Sequence, residues 1–255
     1  MAWLREWRRR RMIRRRRLTA TAWARAEAAL PELLQVDLAT RQRLEATALV
    51  FAAEKEFMAV AGLELDAAAI DTIALQAALP ALERGLDWYA PWTTVVLYPA
   101  GFVATHEYED ADGIVHVAQD PLIGEAWERG PLVLSLADAL EPEPGTSVVI
   151  HECAHKLDMR QGEINGLPPL PRSMSIEAWS VAFGRAYEDL QCRLGGGEGE
   201  EGDLAGYPLD PYAAQDPGEF FAVATETFFA APQRLQRGYP QVYAQLAEFY
   251  GWSLN

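Results

Sequence analysis

Between Thr21 and about Leu82, apolar residues recur at helical spacing and few β-branched residues follow one another. Leu44, Ala48 and Phe51 illustrate this spacing within an alanine-rich stretch. A repeat of three to four residues places apolar side chains on one face of a helix. This part of the chain is therefore predicted to consist of helices.

The pattern changes at Trp92, after which short segments are rich in β-branched residues and are either apolar throughout or alternating. These segments are TTVVLYP, GFVATHEYE, DGIVHVAQ and, from Gly130, GPLVLSLADAL. Such segments predict strands, and the Asp-Gly pair between the second and the third predicts a hairpin. His106 and His116 fall on this hairpin and are interpreted as ordinary strand residues.

Helical periodicity returns after the chain-breaking segment PEPGTS. Thr146 or Ser147 can cap a helix that runs through VVIHECAHKLDM to about Met159. The segment QGEINGLPPLPRSM is predicted to be a loop, and another helix is predicted from Ile176 to about Arg193. The glycine- and acid-rich segment GGGEGEEGDLAG that follows is predicted to be a flexible surface loop.

A last helical block begins after Asp216, with Pro217 at its start and breaks at Pro232 and Pro240. No internal repeat occurs, and strands do not alternate regularly with helices. This order predicts an α+β fold. With 255 residues, of which 50% are hydrophobic, we expect one domain over 21–255, mainly helical over 21–90 and containing a catalytic core over 91–255.

Charge is distributed unevenly along the chain. Residues 1–17 carry nine arginines and one glutamate, a charge of +8, so the formal net charge of −15 leaves −23 for the remainder. The acidic body argues against direct nucleic-acid binding. Residues 1–20 are predicted to form a flexible, solvated arm, and contact with anionic lipid or an acidic partner is the alternative.

Cysteine content and hydropathy bear on the cellular compartment. The two cysteines, Cys153 and Cys192, are too few for a disulfide framework. No signal peptide is recognisable, and no apolar run is long enough to form a transmembrane segment. A cytoplasmic location is therefore expected, with Cys153 interpreted as a small buried residue rather than a nucleophile.

The motif HECAH, residues 151–155, has the spacing of a metal site. Positions i and i+4 of a helix share a face, so His151 and His155 can bind one ion with Glu152 beside it. The alternative is that these histidines are merely packed or exposed. The apolar VVI upstream predicts a buried helix, in which polar groups without a task would be costly.

A hydrolytic zinc site needs a third protein ligand and an open position. The extended motif HExxHxxGxxH is not present, because Asp158 occupies its glycine position and Gln161 its ligand position. A later helix can supply a glutamate instead. Glu219 and Glu226, seven residues apart, would share a face of such a helix.

Two segments, IHECAHKLDMRQGEINGLPPL and DPYAAQDPGEFFAVATETFFAAP, resemble the Mlc titration factor A family. These are bacterial zinc peptidases of the gluzincin type, whose catalytic core is similar to that of anthrax lethal factor. The arginine-rich start, FAAEKEF, LERGLDWYAPWTTVVLYPAGFV and GPLVLSLADAL extend the resemblance over most of the chain, in order. Cys153 and Leu136 replace a Phe and a Trp that are common in the family, and the glycine-rich insertion lengthens the gap before Glu219.

The resemblance implies a zincin-like core with a small mixed sheet, an edge strand and one Zn²⁺ per chain. The family pattern assigns His151, His155 and Glu219 as zinc ligands and Glu152 as the residue that activates water. It places Tyr212, seven residues before Glu219, in the site, where a tyrosine can donate a hydrogen bond to a developing oxyanion.

The surroundings of the site carry further predictions. Asp158 and Glu226 are predicted to orient the ligand histidines as hydrogen-bond acceptors, with a structural bond or a surface position as the alternative for Glu226. A strand at the edge of the sheet can bind an extended substrate main chain, whereas a wholly internal strand cannot. The strand predicted to do so comprises Leu132, Val133, Leu134 and Ser135.

Two functions follow from these residues and from the resemblance. The first is a zinc-dependent, aminopeptidase-like hydrolase that acts on small peptides or chain termini. The second, which the family name implies, is a regulatory protein that binds a sugar-responsive transcriptional repressor. The peptidase ranks first because its residues are visible in the sequence, whereas no interaction surface is.

Overall fold

The structure is a computed structural model. It describes Arg9 and residues 16–60, 62–109, 115–122, 124–126, 130–195 and 206–252. For 102–126 only the backbone is described. The helical first part contains α1 (Ala20–Ala29), α2 (Leu38–Glu54) and α3 (Ala67–Ala81). Thr19, Asp37 and Asp66 cap these helices by accepting hydrogen bonds from main-chain N–H groups of the first turn.

Part of the predicted N-terminal arm is held against these helices. Arg16 forms an ion pair with the buried Asp71, and Arg17 pairs with Glu45. Leu18 is buried in the core. Residues 16–20 therefore do not form a flexible arm, and the rest of the predicted arm lies outside the described residues except for Arg9.

A four-stranded sheet lies beside the helices, in the order β1-β2-β6-β5. Strands β1 (Glu56–Ala59), β2 (Thr94–Tyr98) and β6 (Leu132–Ser135) are parallel, with Val95 opposite Leu132, and β5 (Gly124–Ala126) is antiparallel to β6. The sheet thus contains three parallel strands and one antiparallel strand.

A separate antiparallel pair is formed by β3 (Phe102–Glu109) and β4 (Val115–Leu122). The predicted hairpin strands are confirmed in their backbone, with His116 opposite Tyr108 and His106 opposite Ala118. The Asp-Gly turn between them lies outside the described residues, and so do the side chains of both histidines.

Three predictions that concern the strands of the sheet were wrong. Strand β1 falls in the part predicted to be helical throughout, and its four residues are too few to show a periodicity. The ADAL half of GPLVLSLADAL is not strand but belongs to helix α4 (Leu136–Leu140), which is capped by Ser135. Finally, β6 is internal and not an edge, because β5 pairs with it on the side away from β2.

The second half supplies five longer helices. The predicted metal helix is α5 (Val148–Asp158), whose cap is Ser147, followed by a 3-10 turn to Gln161. Next come α6 (Ile176–Gly195), α7 (Pro217–Ala230), α8 (Pro232–Gly238) and α9 (Pro240–Tyr250). Proline opens the last three helices, as the sequence predicted. The glycine-rich segment before α7 lies outside the described residues.

Helix α5 lies at the centre of the fold, in contact with α3 on one side and α7 on the other. All of its residues except His151 are buried. One hydrophobic cluster extends from Leu18 to Trp252, so the helical first part and the second half share a core. Burial at this depth is the main source of rigidity for side chains on α5. In the part of the chain that the structure describes, no helix is both long and apolar enough to cross a membrane.

Candidate metal centre

Helix α5 holds two imidazole rings side by side. His151 and His155 are one turn apart, and their ring centroids are 4.9 Å apart. The apolar residues Val148, Val149 and Ile150 anchor the first turn in the core. Ser147 caps that turn, because its hydroxyl accepts a hydrogen bond of 3.2 Å from the Ile150 N–H. The two histidines therefore leave a rigid helix in the same direction.

Helix α7 brings the third donor to the same point. Asp216 caps this helix by accepting hydrogen bonds from the N–H groups of Gly218, at 2.7 Å, and Glu219, at 3.0 Å. Pro217 occupies the first helical position, where the missing N–H of proline costs no hydrogen bond within the helix. The cap fixes the start of α7 and thus the position of Glu219 in its first turn.

The three donors are spaced as ligands of one small ion would be. His151 Nε2 lies 3.2 Å from His155 Nε2 and 3.1 Å from Glu219 Oε2, and His155 Nε2 lies 3.4 Å from Glu219 Oε1. Ligands bonded to zinc at about 2.0–2.1 Å in a tetrahedron are about 3.3–3.4 Å apart. The donor set and its spacing therefore fit a zinc-type site.

These contacts also shift the proton affinities of the donors. Burial alone would raise the pKa of the Glu219 carboxyl, but hydrogen bonds with His151 and His155 outweigh it and hold the pKa below its ordinary value. Burial alone would lower the pKa of His151, but hydrogen bonds with Glu219 and Glu226 raise it well above 6.5. Both shifts favour a carboxylate at Glu219 beside a protonated imidazole at His151.

Glu152 and Tyr212 lie on the wall of one cavity of about 470 Å³, together with His151. Glu152 is buried, at 4% exposure. Tyr212 stands on the short 3-10 helix Pro211–Ala214 before α7, and its ring centroid is 6.3 Å from that of His151. Its side chain is 45% exposed, so it is not a core residue. The structure thus places both residues on the same cavity wall as His151.

The two predicted orienting carboxylates differ. Glu226 Oε2 faces His151 Nδ1 at 3.4 Å. Asp158 Oδ2 accepts hydrogen bonds from the N–H groups of Asn165 and Gly166 at 3.0 and 2.7 Å. Its Oδ1 and His155 Nδ1 are both buried and, among the described residues, neither has a hydrogen-bond partner. An orienting role of Asp158 toward a ligand histidine therefore stays a prediction. Its described role is to hold the loop after α5.

Cys153 lies inside α5 and is fully buried. Burial raises its pKa to about 12, which keeps the thiol protonated. A protonated, inaccessible thiol is neither a nucleophile nor a ligand. This agrees with its interpretation as a small core residue.

Sequence reasoning missed several residues around the site. Arg234 and Asp210 lie on the cavity wall, but neither was assigned a role from the sequence. Gln76 on α3 is hydrogen-bonded to the capping hydroxyl of Ser147. The only signal for Gln76 was that it is a lone amide within the apolar run IALQAALPAL.

Comparisons with known proteins agree with this geometry. A family model described as glucose-regulated metallo-peptidase M90 matches residues 4–251 of the chain. Mlc titration factor A of Escherichia fergusonii is 37% identical over 229 residues, which cover 88% of this chain and 83% of that protein. Mlc titration factor A of Salmonella agona is 36% identical over 228 residues, or 87% and 83%. That of Salmonella arizonae is 36% identical over 228 residues, or 87% of each chain.

Proposed function

The chain belongs to the family of Mlc titration factor A, described as glucose-regulated metallo-peptidase M90, and from this premise we propose that it is a zinc-dependent peptidase. The observation that carries the proposal is the convergence of His151, His155 and Glu219. Their ligand atoms all lie within 4.8 Å of one another. The adjoining cavity is lined by His151, together with Glu152 and Tyr212.

The residues present suit peptide hydrolysis. Zinc in such a site lowers the pKa of water to about 7 and polarises a carbonyl group. Glu152 accepts the proton of the attacking water and passes it to the leaving amine. The Tyr212 hydroxyl donates a hydrogen bond to the carbonyl oxygen as negative charge develops there, a contribution of about 3 kcal/mol at comparable sites.

Small peptides or chain termini are the proposed substrates. Because β6 is internal, the edge of the sheet nearest α5 is β5, Gly124–Ala126. An extended substrate can pair its main chain with such an edge without depending on many side chains. We therefore assign the substrate main chain to β5.

The variant Glu152→Gln tests the proposal. It keeps the size of the side chain and all three proposed ligands, so zinc content should stay at one ion per chain. Turnover of aminoacyl and peptide reporters should fall by about 10²- to 10⁴-fold, the usual contribution of a general base. Glu143→Gln, on the wall of the same cavity, is the matched control and should retain activity. Undiminished turnover by Glu152→Gln would refute the mechanism.

A second function, repressor binding, is favoured by the name of the relatives, Mlc titration factor A. We propose that this chain also binds a sugar-responsive transcriptional repressor in the cytoplasm. Pull-down from the same cells, with wild type and Glu152→Gln in parallel, tests it. Recovery of the repressor by both proteins would show that binding and hydrolysis are separable, and recovery by neither would refute this second function.

A further inference from the structure

Gln76 is a buried amide that connects the helical first part to the metal helix. Its side chain is 1% exposed on α3. The amide nitrogen donates a hydrogen bond of 2.8 Å to the carbonyl of Ala139, at the end of α4. The amide oxygen accepts one of 2.7 Å from the Ser147 hydroxyl. Both ends of the amide are thus engaged by parts of the chain more than 60 residues away.

Ser147 extends this connection toward the donor cluster. Its hydroxyl caps α5 through Ile150, while its own main-chain N–H donates a hydrogen bond of 2.5 Å to Glu226 Oε1. The second oxygen of Glu226 faces His151 Nδ1. A continuous set of polar contacts therefore runs from Gln76 through Ser147 and Glu226 to a proposed zinc ligand.

We propose that Gln76 is a positioning residue for the metal centre, acting through Ser147 and Glu226 to fix the ring of His151. The proposal rests on the proposed role of His151 as a ligand. Glu226 accepts the Nδ1 proton, which leaves the Nε2 lone pair directed toward Glu219 and His155. Carboxylates that hold a ligand histidine in this way set both its tautomer and its orientation.

An amide suits position 76 because the Ser147 hydroxyl needs a hydrogen-bond acceptor and the Ala139 carbonyl needs a donor. The Ser147 hydroxyl has one proton and must keep a lone pair for Ile150, so its proton requires an acceptor on the other side. Gln76 supplies that acceptor and directs its own N–H to Ala139. A carboxylate at position 76 would accept from Ser147 but would face the Ala139 carbonyl without a proton, which leaves that carbonyl without its donor.

The test compares zinc affinities, measured by competition with a chromophoric chelator. Gln76→Met keeps the length of the side chain and removes both hydrogen bonds. Its zinc dissociation constant should rise by about 3- to 10-fold, the equivalent of roughly one hydrogen bond. Glu226→Gln should raise it by about 10- to 100-fold. The absorption spectrum of the Co²⁺-substituted protein should change in both variants, because the His151 ring moves.

Two further variants separate positioning from general destabilisation. Thr225→Val is the control, because Thr225 is buried on α7 beside Glu226 but contacts Tyr250 on the other side. It should lower the unfolding temperature and leave zinc affinity within twofold. The double variant Gln76→Met/Glu226→Gln should bind zinc no more weakly than Glu226→Gln, since both act along one path. Ser147→Ala interrupts the same path if Gln76→Met does not fold.

Wild-type zinc affinity in Gln76→Met, or in Ser147→Ala where that variant replaces it, would overturn the proposal. Losses that simply add in the double variant would overturn it as well. These outcomes differ from failure of the proposed function, in which the wild-type protein binds zinc but hydrolyses no peptide. A wild-type protein that binds neither Zn²⁺ nor Co²⁺ would overturn both.

Discussion

The carboxylate of Glu219 lies 3.1 Å from Nε2 of His151, although 68 residues separate them in the chain. Two helix caps produce this contact. Ser147 fixes the start of α5, and Asp216 fixes the start of α7. His151 and Glu219 then sit within the first turn and a half of a capped helix, where fraying is suppressed, and His155 lies one turn further along α5. A metal ion would bind donors that are already in place.

Zinc binding should release a proton. Burial lowers the pKa of His151, but its hydrogen bonds with Glu219 and Glu226 raise it well above 6.5, so the metal-free ring is protonated at pH 7. The apparent zinc affinity should therefore rise about tenfold per pH unit from pH 6 until the pKa of His151 is passed. Titration calorimetry in two buffers of different ionisation enthalpy should show about one proton released per ion. An affinity that does not change with pH would contradict a protonated His151.

The sequence predicted α5, α7 and their caps because the signals for them are local. A capping residue, a proline at the first position and a helical repeat all lie within one segment of chain. The pair His151 and His155 was predictable for a related reason, since its spacing is set by one helix, whereas the choice of Glu219 over Glu226 came from the family resemblance. By contrast, β1 and β5 have only four and three residues, too few to show a periodicity. They become strands only through pairing, β1 with the distant β2 and β5 with the nearby β6. Whether β6 is internal or at an edge depends on that pairing.

Contacts around the site were also not predictable where they depend on how distant or looping segments pack. The contact of Gln76 with Ser147 joins residues 71 apart, and nothing near Gln76 in sequence announces it. Asp158 was expected at a histidine because of its helical spacing from His155. The loop that follows α5 turns back and presents two N–H groups to one oxygen of this carboxylate. Helical spacing predicts the direction of a side chain, but it does not predict which loop contacts that side chain.

Tyr212 should contribute to turnover and not to stability. Its side chain is 45% exposed, and its ring lies beside His151 on the cavity wall. Tyr212→Phe should lower kcat by about 10²-fold through loss of one hydrogen bond to the developing oxyanion. Zinc affinity and the free energy of unfolding should stay within about 0.5 kcal/mol of wild type. The control Tyr187→Phe loses the hydrogen bond from its hydroxyl to the Ala214 carbonyl. It should lower the free energy of unfolding and leave kcat unchanged.

Gly166 should be required for the position of Glu219. A Cβ added at Gly166 would lie 2.4 Å from the carbonyl oxygen of Pro217, at the start of α7, and its φ of +75° disfavours other residues. Gly162 has a φ of +105° but nothing within 4 Å of such a Cβ, so it provides a matched control. Both alanine variants should lose about 1–2 kcal/mol of stability from the left-handed backbone. Only Gly166→Ala should also weaken zinc binding, because it displaces α7, and equal zinc affinities would contradict the argument.

Asp158 should make the metal-free protein less stable as pH rises from about 4 to 6. Burial raises its pKa from 3.8 to about 6, even though bonds from Gly166 and Asn165 lower it in part. A carboxyl whose folded pKa is raised contributes stability below its unfolded pKa and loses it as pH rises through the folded pKa. The stability of wild type relative to Asp158→Asn, measured by urea unfolding with chelator, should thus fall by up to about 3 kcal/mol between pH 4 and 6. Asp189→Asn should give the opposite sign over acid pH, because Arg193 lowers the pKa of Asp189. A difference between wild type and Asp158→Asn that stays constant from pH 4 to 6 would show that this carboxyl is not desolvated by the loop after α5.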